Sequence, residues 1–368
     1  MIGVVVACLA GVLVLAAVTA LAYRALRQRR VARTLAIDTP RGVAEGRFVR
    51  LGGIDQWIQI RGTDRANPIL LVLAGSGLPL EPFTATIFVP WERHFTVVLW
   101  DRRDVGRTRG RNGKAGNENW TFDQFAGDGV ELAEFLRTHL QQDKVILIGQ
   151  SQGSIVGAKM ARLRPDLFHA YVGTGQIVDM ARNEEQTYHL ALDRARKAGN
   201  RKALRALERA QPPYRDVRTW ITKQRWSFAT DPEMNGWQRK AFGAVLTWPG
   251  YGLADISRFM FGALFLPPRL FEETIACTPQ RLGLRYDVPV FLLHGDDTDV
   301  HTLPALAEEY LTALQAPAKS FVRLPGTGHL TFLAQPEQFL TALLTHVRPL
   351  ATKPPGSDSS PVQEKSWF

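Results

Sequence analysis

The chain is expected to be an α/β protein: a mostly parallel, doubly wound sheet with an inserted helical cap, preceded by an N-terminal transmembrane helix. Three observations predict this. Short apolar strand-like runs alternate with helical patterns. The pentapeptide Gly149-Gln150-Ser151-Gln152-Gly153 stands directly between one such run and one such helix. The segment 179–278 breaks the alternation and is helical or irregular and rich in aromatics.

Taken in order, Ile2 to Tyr23 is an uncharged apolar run of 22 residues, long enough to cross a bilayer as a helix. Arg24, Arg27, Arg29, Arg30 and Arg33 follow it. A cleaved leader ordinarily carries its basic residues ahead of the apolar core. The reversed order favours a single-pass anchor over residues 1–23. The arginines then keep the rest of the chain on the cytoplasmic side. Val5-Val6-Ala7-Cys8 superficially matches a lipoprotein cleavage box but has no apolar core before it. Residues 24–45 read as a basic juxtamembrane linker.

A globular core follows over 46–178 and resumes over 279–350. It opens with the alternating strand Asp55–Ile60. Buried strands are expected at Ile69–Leu73, Phe95–Trp100, Val145–Ile148, Ala170–Gly173, Val290–Leu293 and Ser320–Leu324. Helical patterns cover Phe122–Leu140, with an apolar stripe at Phe125, Ala133, Leu136 and Leu140, then Ser154–Arg164, Pro304–Leu314 and Glu337–Val347. The insertion at 179–278 falls where it would cover the strand ends above Ser151. Its aromatics (Trp220, Trp226, Phe228, Trp237, Trp248, Tyr251, Phe259, Phe261) are expected mostly in the cap's own core, with two or three lining a pocket. Residues 351–368, rich in Pro, Ser and Gly, read as a disordered tail.

Composition narrows the function. With 45% hydrophobic and 22% charged residues the chain is ordinarily globular. Part of its net charge of +10 is local, in the arginines after Tyr23 and in the stretch Arg194–Arg209, which reads as solvated helix faces. No nucleic-acid-binding module is present, so nucleic acid is not an expected partner. Two cysteines, Cys8 and Cys277, make no disulfide framework. Phosphate-loop, zinc-histidine and dinucleotide motifs are absent, so neither cofactor nor metal is implied.

The chemistry centres on Ser151. A strand–turn–helix with glycines at both ends is the setting of a nucleophile elbow, which exposes the serine hydroxyl at a helix N-terminus. A serine needs a base, usually a histidine oriented by a carboxylate. His329 follows the last buried strand and is the candidate base; His294 ends a strand and reads as structural, and His301 is a weaker candidate. Asp296, Asp297 and Asp299 compete for the acid, since aspartates in such loops also shape turns. The oxyanion needs two donors. The amide of Gln152 supplies one, and that of Ser76, in Ala74-Gly75-Ser76-Gly77, is the candidate for the other.

Five stretches together resemble the proline iminopeptidase branch of the α/β-hydrolase superfamily. They are Leu71–Gly77, Trp100–Thr108, Gly149–Ser154, Asp299 through Leu306-Ala307-Glu308-Glu309-Tyr310, and Gly328-His329 with Gln335-Pro336-Glu337-Gln338-Phe339. The resemblance runs from about Gly46 to Val347 and is weakest across the cap. It implies an α/β-hydrolase fold and a Ser-His-Asp serine hydrolase acting on an amide or ester through an acyl-enzyme. In that branch an aspartate precedes a threonine by three residues ahead of the Leu-Ala-x-x-Tyr helix. The spacing Asp299 to Thr302 matches, which makes Asp299 the acid and Asp297 the alternative.

Departures stand at the oxyanion loop (Ala74-Gly75-Ser76-Gly77-Leu78 for His-Gly-Gly-Pro-Gly), at Asp101–Thr108, and at Gln150 and Gln152. The branch also holds the substrate's amino group with cap carboxylates, for which Glu184 and Glu185 are candidates. The resemblance implies a proline iminopeptidase-like aminopeptidase acting on a short peptide with N-terminal proline or on a similar small amide. A carboxylesterase or lactonase with a small-molecule substrate is the alternative. A non-catalytic binding protein on a hydrolase scaffold is the rival of another class, motivated by the altered oxyanion loop.

Overall fold

The computed structural model describes residues 2–75, 77–113, 120–262, 267–296 and 299–352. Ser76, Asp297 and most of the expected tail lie outside them. Eight strands form one sheet: β1 (Val43–Leu51), β2 (Ile54–Gly62), β3 (Ile69–Leu73), β4 (Thr96–Asp101), β5 (Val145–Gln150), β6 (Phe168–Thr174), β7 (Val290–Gly295) and β8 (Lys319–Leu324). Their order is β1-β2-β4-β3-β5-β6-β7-β8. β2 is antiparallel to both β1 and β4, and the remaining neighbours are parallel.

The α-helices among the described residues are α1 (Ile2–Thr34), α2 (Gly106–Asn112), α3 (Phe122–Leu140), α4 (Gln152–Leu163), α5 (Met180–Lys197), α6 (Arg201–Arg209), α7 (Val217–Ala229), α8 (Pro232–Thr247), α9 (Leu253–Gly262), α10 (Pro268–Ile275), α11 (Pro279–Leu282), α12 (Pro304–Ala313), α13 (Thr331–Ala334), α14 (Pro336–Ala342) and α15 (Arg348–Thr352). Helices α5 to α11 all fall between β6 and β7, as a helical insertion.

Both faces of the sheet are covered, which is why its central strands read as continuous apolar runs. Successive side chains point to opposite faces. Ile69, Leu71 and Leu73 of β3 and Val145 and Leu147 of β5 enter the core shared with α3, α4 and α12. Leu70, Val72, Ile146 and Ile148 enter the other, with Phe88, Trp91, Phe95, Phe339 and Leu343. α3 starts where the Thr121 hydroxyl accepts from the Gln124 amide, and it buries the expected stripe at Phe125, Ala133, Leu136 and Leu140.

Two features differ from the sequence expectation. β1 has no counterpart in it, because an edge strand reading Val-Ala-Glu-Gly-Arg-Phe-Val-Arg-Leu buries only part of one side and shows no apolar run. It also starts inside the segment read as linker. That segment is moreover helical as far as Thr34. Residues 24–33 are Arg, Ala, Leu, Gln and Val, mostly strong helix formers, and no breaker occurs before Asp38-Thr39-Pro40. Side chains from Ile2 to Tyr23 are exposed throughout, whereas Val31 and Leu35 pack on the second core.

Candidate active site

β5 delivers Ser151 and α4 carries the chain away from it. The serine holds φ 53° and ψ −123°, a left-handed backbone costly for any residue with a side chain. Its amide is fixed to the Thr174 carbonyl of β6 (3.0 Å). The flanking glycines are steric necessities. A Cβ on Gly153 would lie 2.4 Å from the Leu73 carbonyl oxygen and 2.5 Å from that of Ala74, and one on Gly149 would lie 2.7 Å from the Gly153 oxygen.

The loop after β8 brings His329 back over the sheet, with Nε2 3.2 Å from Ser151 Oγ. Behind it, Nδ1 lies 3.3 Å from Asp299 Oδ2 and 3.1 Å from Thr302 Oγ1. Asp299 is wholly buried and saturated. Its Oδ1 accepts from the amides of His301 (2.7 Å) and Thr302 (3.0 Å), and its Oδ2 from the Thr302 hydroxyl (2.8 Å). Burial alone would raise this carboxyl, but the facing His329 and the amide donors outweigh it and hold the pKa well below the usual carboxylate range. Burial would likewise lower His329, yet Asp299 raises it above the ordinary histidine value.

The other candidates have different places. Asp296 ties two loops together, accepting from the Gly326 amide (3.0 Å). His294 accepts from the Gln176 amide through Nε2 (2.8 Å), and burial lowers it to about 4, so it is a neutral structural group. His301 is buried, stacks on Phe228 (4.3 Å between centroids) and has its ring 5.2 Å from that of His329. Its Nε2 lies 3.6 Å from Asp231 Oδ2, too long for a hydrogen bond, and among the described residues neither ring nitrogen has a hydrogen-bond partner. It faces the same cavity as Ser151 and His329. Burial lowers its pKa despite the nearby Asp231.

The departures at the elbow acquire roles that spacing did not reveal. Gln150 Oε1 accepts from the Gly75 amide (2.8 Å) and so pins the loop after β3 beside Ser151. Arg102, also buried, donates to the Ala74 carbonyl (3.1 Å) on the same loop. Ser76, whose amide is the expected second oxyanion donor, lies outside the described residues. Gln152 is the first residue of α4, where backbone amides lack intrahelical acceptors. Its side chain donates to Thr274 Oγ1 of α10 (3.1 Å), tying the elbow to the insertion.

Above Ser151 lies a cavity of about 530 Å³ whose walls include Leu78, Ile177, Met180, Trp220, Phe228 and Trp237. Of the two carboxylates considered, Glu185 is exposed and lines no part of it. Glu184 does line it, and is the only carboxylate among the described residues to do so. It is already engaged: Lys223 Nζ, fully buried, stands 2.9 Å from Oε2, and Gln224 donates to Oε1 (3.1 Å). Among the described residues no group of three or more His, Cys, Asp or Glu is arranged to hold a metal ion.

A family model described as the alpha/beta hydrolase family matches residues 69–342. The chain belongs to that family. This hydrolase is 25% identical over 321 residues to the protein called "Probable aminopeptidase YbaC" of Bacillus subtilis (strain 168), covering 85% of this chain and 99% of the relative. Among solved structures, a proline iminopeptidase-related protein from Thermus thermophilus superposes with a TM-score of 0.58 at 19% identity, over 84% of this chain and 99% of that one. A bacterial membrane phospholipase A superposes with a TM-score of 0.56 at 17% identity, over 94% and 99%. These two likenesses bear on the fold alone.

Proposed function

We propose that this hydrolase cleaves carboxylic esters bearing an apolar group, through an acyl-enzyme on Ser151. His329 Nε2 takes the Ser151 proton as Oγ attacks the carbonyl carbon, and the amides of Gln152 and Ser76 receive the oxyanion. His329 then protonates the departing alcohol. A water molecule, deprotonated by His329, releases the acid and restores the serine. Asp299 keeps Nδ1 protonated and Nε2 free to accept. The single observation that carries this is the continuous line Ser151–His329–Asp299 with both contacts near 3.3 Å or less.

The ester preference follows from the cavity. Its walls are largely apolar, and the one carboxylate lining it among the described residues, Glu184, is paired with Lys223. An ammonium group entering there would lose its hydration without gaining a free counter-ion. Aminopeptidase action is the second reading, favoured by the relative from Bacillus subtilis.

The apolar run of α1 serves as a single-pass membrane anchor, with the basic flank and the catalytic part on the cytoplasmic side. Purified full-length protein assayed on p-nitrophenyl esters and on prolyl-arylamides tests the chemistry. Ester turnover and fluorophosphonate labelling should both disappear in a folded Ser151→Ala variant, by roughly 10⁴-fold or more in rate. Retained turnover in that variant would remove Ser151 as nucleophile, and faster cleavage of the arylamides would favour the second reading.

A further inference from the structure

The last third of α1 is bound to the helical insertion. Arg24 donates to the carbonyls of Leu246 (2.9 Å) and Tyr251 (2.5 Å), and Gln28 to those of Trp248 (2.8 Å) and Tyr251 (3.3 Å). The turn between α8 and α9 is therefore held at the point where the apolar run of α1 gives way to arginines. Exposed apolar side chains cluster around the same turn. Phe242, one helical turn before Leu246, is 47% exposed, and Leu253, two residues after Tyr251, is 66% exposed. Met260, two turns further along the same face of α9, is 45% exposed. Arg239 and Lys240 on α8 and Arg27 and Arg30 on α1 are exposed as well.

We propose that the α8–α9 edge of the insertion rests on the lipid bilayer that holds α1, and that the cavity is filled from that bilayer by a membrane-dissolved carboxylic ester. The proposal rests on α1 as anchor and on Ser151 as nucleophile. A span leaving the bilayer at Arg24 puts whatever Arg24 grips at the interface. Apolar side chains flanked by arginine and lysine are what an interfacial surface needs, the former entering the acyl boundary and the latter meeting anionic headgroups. α8 also joins the interface to the site. Gln238 lines the cavity, and it stands eight residues before Leu246, about 12 Å along the helix axis. The edge gripped by Arg24 and the cavity wall thus lie on one helix, which sets the bilayer close to the cavity.

Full-length protein in phosphatidylcholine–phosphatidylglycerol vesicles with brominated acyl chains tests the placement. With Cys8→Ser in place, a bimane label on Leu253→Cys should be quenched, and one on Leu163→Cys, at the far end of α4, should not. Equal signals at both positions in vesicle-bound protein would overturn the proposal. Failure of the protein to float with vesicles would remove the anchor, and the proposal with it.

The second arm compares substrates in the variant Phe242→Ser/Leu253→Ser/Met260→Ser. Hydrolysis of a long-chain acylglycerol carried in vesicles should fall at least about tenfold, because less apolar surface docks, while p-nitrophenyl acetate in solution is hydrolysed as before. Equal effects on the two substrates, or none on either, would refute membrane delivery. Loss of nucleophile identity reads out separately, as p-nitrophenyl acetate turnover persisting in Ser151→Ala.

Discussion

Replacing Asp299 by asparagine removes one charge and, through the surrounding donors, reverses a hydrogen bond. Oδ1 faces two backbone amides, from His301 at 2.7 Å and Thr302 at 3.0 Å, and only an oxygen satisfies them. The asparagine oxygen must take that side, which leaves its NH₂ where Oδ2 stood, 3.3 Å from His329 Nδ1. A donor there stabilises the histidine tautomer with Nδ1 bare and Nε2 protonated. That tautomer cannot accept the Ser151 proton across the 3.2 Å contact. The loss expected for a wrong tautomer in a serine triad is about 10⁴-fold in kcat, or roughly 5.4 kcal/mol of barrier.

The assay is kcat and kcat/KM on a p-nitrophenyl ester from pH 5 to 9, with thermal unfolding measured in parallel. Since Asp299 raises the His329 pKa, the acidic limb of the wild-type profile should lie above the ordinary histidine range, and residual activity in Asp299→Asn should titrate lower. Asp299 itself is depressed, so its contribution to stability is present above the usual carboxylate pKa and lost only as pH falls through the folded value. The variant should therefore also unfold at lower temperature near pH 7. A folded Asp299→Asn protein within about tenfold of wild-type kcat, with an unmoved acidic limb, would refute the assignment.

The ester preference and the core electrostatics give two more expectations. Lys223→Met should leave the Glu184 carboxylate buried without its cation, at a cost of roughly 3–5 kcal/mol in chemical denaturation, and should improve inhibition by amine-bearing prolyl amides; unchanged inhibition would dissociate Glu184 from substrate selection. Asp101 is pushed up to about 7, first by burial and then by Glu81. The folded state keeps a proton there that the unfolded chain gives up near pH 4, so this contribution is present below that pH and is lost as pH rises to 7. Urea unfolding of Asp101→Asn should show a flatter decline over pH 4–7 than wild type, and a parallel pair of curves would contradict the shift.

Legibility followed the range of the interaction. The sheet could be read because burial on both faces writes itself as runs such as Ile69–Leu73 and Val145–Ile148, and the elbow because Gly149 and Gly153 are demanded by backbone contacts around Ser151. β1 was illegible for the converse reason: an edge strand with Glu45, Arg47 and Arg50 carries little of the burial that patterns a sequence. Asp299 was separated from its neighbouring aspartates by resemblance alone, and the geometry now sets it behind His329 while Asp296 binds the Gly326 amide.

By itself the sequence determined the α/β architecture, the serine turn and the apolar run at residues 2–23. Those features are encoded by local period, sterics and hydrophobicity. The tertiary structure alone decided that Glu184 is paired with Lys223, that Gln150 grips the Gly75 amide, that the His301 ring faces the cavity with no hydrogen-bond partner among the described residues, and that Arg24 and Gln28 clasp the turn after α8. Each of these joins groups from separate elements or depends on how those elements pack around a cavity. No residue's neighbours in sequence announce them, because a buried charge or amide finds its partner only when the packed elements bring one within about 3 Å.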